Sequence, residues 1–133
     1  LFGTWAVFVA TLGALPLWAV TTLLFAIGLF GAAFVLTWPI GREVNPPELA
    51  GVAVAVTNLG GFVGAALTQG PVGAVLDARW VGTMVGGARA YPVEAYRAAF
   101  GICALLVLAA ALLSLLLRET HGRNVWPELA DGA

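Results

Sequence analysis

The chain has 133 residues, of which 61% are hydrophobic and 10% charged, whereas a soluble domain carries about a quarter charged residues. Its net charge of −1 comes from six arginines and seven acids, with no lysine, and no basic patch exists for nucleic acid. Apolar runs of about 20 residues separated by short polar turns exclude a water-solvated globule and predict an all-α integral membrane protein of about four transmembrane helices.

The first run, about 2–15, is short of the roughly 20 residues that a span needs. It reads as the tail end of a helix whose beginning is missing. Met84 is the only methionine, and Leu1 already lies in apolar sequence without a basic region before it. A piece of something longer is therefore expected. Pro16 and Trp18 mark the turn into the second run, about 17–40, which is long enough to cross with some tilt. Its Gly28, Gly31 and Ala32 allow a neighbouring helix to approach closely.

A charged corner follows, Gly41-Arg42-Glu43-Val44-Asn45-Pro46-Pro47-Glu48. Asn45 suits an N-cap, Pro46 the first helical position and Glu48 the third, a capping-box arrangement that starts a new helix at a membrane surface. That helix, about 46–76, is the longest and richest in glycine. Gly60 and Gly64 form a GxxxG pair that predicts tight helix packing, and Gly70-Pro71 predicts a bend. Asn58 and Gln69 stand about three turns apart on one face, roughly opposite the glycines. A polar loop occupies 77–91 and a Leu/Ala-rich helix about 93–117, which reads as peripheral and lipid-facing. The tail, 119–133, reads as solvated. Three arginines on each side of the spans leave orientation undecided by charge.

Taken together, GREVNPPELAG, NLGGFVGAALTQGPVGAVLD and a last helix ending in RETHGRNV resemble the C-terminal end of a bacterial major facilitator superfamily (MFS) transporter. The resemblance covers nearly the whole chain and rests on the order and spacing of three stretches. It implies helices 9 (partial), 10, 11 and 12 of a twelve-helix fold in the bacterial inner membrane. The corner and tail would then be cytoplasmic and the 77–91 loop external. It also implies a cavity lined by helix 10 and flanked by helix 11, with Gly70-Pro71 matching the Gly-Pro motif of the repeat-related fifth helix. One departure stands out: Gly70 intervenes where relatives place Pro directly after the Gln.

Each candidate residue has two readings. Asn58 and Gln69 either line a substrate path or make interhelical and backbone hydrogen bonds. Thr37 and Trp38 either face a cavity or, for Trp38, anchor at the interface. Thr21 and Thr22 either face the cavity or bond back to the preceding turn. Arg42 and Glu43 are gating candidates that would pair with charges elsewhere in a transporter, or are simply solvated. Asp77 reads as a helix-end residue rather than a proton carrier. Cys103, inside an apolar run, reads as filler, and His121 has no metal-ligand spacing. Paired intramembrane carboxylates and Ser-His combinations do not occur, so neither an enzyme nor a cofactor or metal is expected.

The expected function is the C-terminal part of a secondary transporter moving a small solute by alternating access. Its partners would be the solute, the bilayer and the remaining helices of the same protein, with any coupling carboxylate upstream. The alternative is a self-contained four-helix membrane scaffold or assembly protein.

Overall fold

The computed structural model describes residues 1–131; Gly132 and Ala133, the end of the expected tail, lie outside the described residues. The chain is mostly helical. Helix α1 is Phe2–Thr11, α2 Leu17–Gly31, α3 Thr37–Glu43, α4 Ala50–Ala78, α5 Val93–Ser114 and α6 Trp126–Ala130. Two 3₁₀ segments, Ala32–Leu36 and Pro47–Leu49, precede α3 and α4. Strands β1 (Met84–Val85) and β2 (Ala88–Arg89) form a hairpin. Three helical stretches, Leu17–Glu43, Pro47–Ala78 and Val93–Ser114, are long and apolar enough to cross a membrane, with 27, 32 and 22 residues. At 1.5 Å per residue the shortest is about 33 Å long, matching a hydrocarbon core of about 30 Å. These helices identify a membrane-associated, predominantly helical protein.

The helix ends have local causes. Pro39 has no N–H to donate to the Val35 carbonyl and its ring crowds that group, so the turn before it tightens into 3₁₀ geometry over Ala32–Leu36. The expected 17–40 run therefore continues to Glu43. Helix α4 runs unbroken through Pro71 to Ala78. Asn45 is not the N-cap of the third run: Pro46 holds that position and no side-chain cap bond forms there. Instead the Asn45 amide turns back and donates to the Gly41 carbonyl at 2.7 Å. A C-terminal carbonyl without a partner is a ready acceptor for that amide.

The chain forms two compact units. The first comprises residues 1–31 and 66–116. Here α1 packs on α2 and α5. Ala95 and Ala99, one turn apart on α5, are fully buried, and Phe8 of α1 is 4% exposed. Small residues let the backbones close up so that ring contacts form the seam. Phe8 meets Trp5 edge-on at 6.0 Å and Phe100 at 5.6 Å. The Arg97 guanidinium donates to the Leu12 carbonyl at 2.8 Å, covering an open group at the end of α1. The first half of α5 thus carries a packing surface for α1, while most of the helix stays unburied. Leu105, Leu112 and Leu113 farther along it stay exposed.

After α4 the chain turns through the hairpin on Gly86 and Gly87, whose φ angles of +58° and +82° suit a two-residue turn. Asp77 Oδ1 accepts bonds from the Arg89 guanidinium and the Tyr91 hydroxyl, each at 2.8 Å. Arg89 also lies over the Trp80 ring, 4.6 Å from its centroid. Donation to the Asp77 carboxylate pushes the Tyr91 phenol above its ordinary value. That contact is complete below the ordinary tyrosine pKa of about 10 and is lost as pH rises through the raised value. In a Tyr96→Phe background, alkaline titration of tyrosinate absorbance should place Tyr91 above about 10. Asp77→Asn should bring it down, and an unchanged midpoint would show that the bond is not formed in solution.

Candidate functional site

The second unit comprises, among the described residues, 32–65 and 117–131, and it contains most of the expected site residues. At its centre is the end of α3. The last four carbonyls of a helix have no partner within it. Here each finds one, in order. Val44 N–H donates to Ile40 O at 3.2 Å, Asn45 Nδ2 to Gly41 O at 2.7 Å, Asn124 Nδ2 to Arg42 O at 3.0 Å and Val125 N–H to Glu43 O at 2.7 Å. Asn124 Nδ2 also reaches Asn45 O at 3.0 Å. The Thr120 hydroxyl donates to the Glu43 carboxylate.

The tail is thus tied to the corner through a few contacts, while most of its side chains stay exposed as its charge implied. Thr120 and Val125 are buried, at 7% and 6% exposure. His121 and Gly122 turn the chain back with φ of +49° and +73°, and Arg123 N–H closes the turn on Thr120 O at 3.0 Å. The His121 amide, donating to Glu119, holds that carboxyl below its usual range. Arg118 pairs with Glu128 of α6. Glu43 is therefore engaged within its own chain, whereas the Arg42 side chain is exposed.

A close approach of α3 to the start of α4 supports the corner. A Cβ built on Gly41 would lie 2.8 Å from Thr57 Oγ1 and 3.5 Å from Ala53 O. Thr57 Oγ1 is itself bonded to Ala53 O at 2.8 Å. Nearer the middle of α4, a Cβ on Gly61 would meet the Phe34 ring at 2.7 Å. At Gly60, Gly64 and Gly70 an added Cβ meets nothing within 4 Å. The glycines at close approaches in this unit are thus Gly41 and Gly61, which the GxxxG pattern does not contain.

Asn58 is half-buried and lines an open pocket of about 370 Å³ with Phe34, Gly61, Phe62 and Ala65. Its amide makes no hydrogen bond among the described residues. Gln69, in the other unit, is exposed. The Thr37 hydroxyl donates to Phe34 O at 2.6 Å, and Thr21 and Thr22 likewise bond back to Leu17 O and Trp18 O, each at 2.9 Å. Trp38 is half-buried, and its Nε1 is enclosed without an acceptor among the described residues. The pocket is a mostly apolar cleft with one amide and no charged lining residue. It can accept an apolar group and satisfy one donor or acceptor.

Sequence reading missed the tail contacts, the Phe34–Gly61 approach and the hairpin. Only the hairpin had a local signal, the Gly86-Gly87 pair between Met84-Val85 and Ala88-Arg89. Comparison with models of known families, with curated proteins and with solved structures found no match to this chain.

Two measurements check the corner. Gly41→Ala should destabilise the protein in detergent by about 1–3 kcal/mol through overpacking, and adding Thr57→Ala should recover most of that loss. Asn124→Ala should cost about 1–3 kcal/mol, because the Arg42 and Asn45 carbonyls lose their shared donor. Additive losses in the first pair, or an unchanged midpoint for Asn124→Ala, would contradict these contacts.

Proposed function

We propose that the chain is the C-terminal third of a bacterial inner-membrane secondary transporter of the major facilitator type, moving a small solute by alternating access. The observation that carries this reading is Asn58, an unpartnered, half-buried amide facing an open pocket on a membrane-length helix. A polar group at such a depth is costly and often marks a solute path. The enclosed Trp38 Nε1 supports the same reading, since a buried N–H without an acceptor calls for one from a further element. The order of GREVNPPELAG, NLGGFVGAALTQGPVGAVLD and RETHGRNV along the helices adds the family.

In this reading Asn58, with Phe34 and Phe62, forms part of the cavity wall, Gln69 lies farther along the same helix, and Thr37 and Trp38 stand toward the corner. The Gly60 and Gly64 face packs against helices outside this segment, and Gly70-Pro71 supplies compliance in the moving helix. Arg42 is the residue placed to gate against a charge elsewhere, since Glu43 is already held by the tail. The spans hold no acid between their ends, so any coupling carboxylate lies in the other helices.

Reading the gene upstream of the Leu1 codon tests this directly: the frame should encode about eight further hydrophobic spans. A start signal immediately before that codon would overturn the transporter reading in favour of a small membrane scaffold. In the full protein, Asn58→Ala should lower solute flux about tenfold at equal membrane abundance, equivalent to about 1.4 kcal/mol. Unchanged flux would remove Asn58 from the path.

A further inference from the structure

Helix α6 begins one hydrogen bond from the end of a membrane-length helix. Val125 N–H is bonded to the carbonyl of Glu43, the last residue of the Leu17–Glu43 stretch. Where that stretch crosses a bilayer, Val125 is held at the boundary between hydrocarbon and water. The residues that follow are amphipathic. At about 100° per residue, Trp126 and Leu129 fall within about 60° of each other and Leu129 lies within about 40° of Val125, while Asp131 falls roughly opposite the Trp126–Leu129 pair. Val125 is used up against the corner, but Trp126 and Leu129 are each 37% exposed. Glu128 is paired with Arg118, so its charge is partly neutralised beside that apolar face.

We propose that α6 lies in the plane of the membrane interface as an anchor, with Trp126 and Leu129 inserted among the lipid headgroups and upper acyl chains. Indole rings favour this zone, and a short helix with one apolar side lies in it rather than crossing it. Charge is not the driving force. Residues 118–131 carry two arginines against three acids, so anionic lipid has no net attraction to offer. Apolar insertion therefore sets the depth, and the bonds to Arg42, Glu43 and Asn45 turn α6 into a strap that fixes the corner at the surface. The inference rests on the membrane-length helices and holds whether or not the protein transports a solute.

The test uses the full chain with Cys103→Ser, reconstituted in vesicles of phosphatidylcholine alone or with phosphatidylglycerol added. A nitroxide is attached at Leu129→Cys, or at His121→Cys, whose native side chain is 82% exposed. Relaxation by oxygen, which concentrates in lipid, is compared with relaxation by a water-soluble nickel chelate. The label at position 129 should favour oxygen several-fold more than the label at 121, equally in both lipids. Because that label replaces one anchoring residue, a third label at Ala130→Cys keeps Trp126 and Leu129 intact. Its oxygen preference should fall when both are changed to Ser. Labels at 129 and 130 as water-exposed as 121, or an oxygen preference that needs phosphatidylglycerol, would overturn the proposal.

Discussion

The end of α3 is the point on which the second unit depends. The end of a helix leaves four carbonyls without internal donors, and wherever water is excluded each is costly to leave open. Two of the four are covered by the next residues of the corner, Val44 and Asn45. The other two are covered from the tail by Asn124 and Val125. That division ties sequence positions about 80 residues apart to a single helix end. The same contacts explain the left-handed turn at His121-Gly122, which brings the tail back to Glu43.

The first unit solves a similar problem with different residues. Arg97 covers the end of α1, and alanines on α5 allow the ring cluster of Trp5, Phe8 and Phe100 to close. In both units, packing relies on small residues at close approaches and on polar side chains spent on main-chain carbonyls. Some half-buried polar side chains are left without a partner among the described residues. Asn58 and the Trp38 indole are notable among them, and for that reason they carry weight in the proposed transporter reading.

The membrane-length helices were legible in the sequence because they depend only on the length of apolar runs and on proline and glycine positions. The corner was legible as a turn, but the role of Asn45 was not: an asparagine between two helices can cap either one, and local spacing does not choose. Gly60 and Gly64 match a packing pattern, yet the chain packs at Gly61 because Phe34, distant in sequence, reaches that position. The tail was read as solvated from its charges. Its attachment depends on main-chain donors and one asparagine amide, which composition does not reveal. The tightened turn before Pro39 follows from a general rule about proline, although its extent over Ala32–Leu36 is visible only in the fold.

The most direct test of the account is amide hydrogen exchange of the chain in lipid bilayers, resolved by residue. Slow exchange is expected across Leu17–Glu43, Pro47–Ala78 and Val93–Ser114, with the Val125 amide protected alongside them through its bond to Glu43. Rapid exchange through the middle of any of the three helices would contradict the membrane-spanning reading. Protected helices with a freely exchanging Val125 would contradict the claim that the tail completes the end of α3.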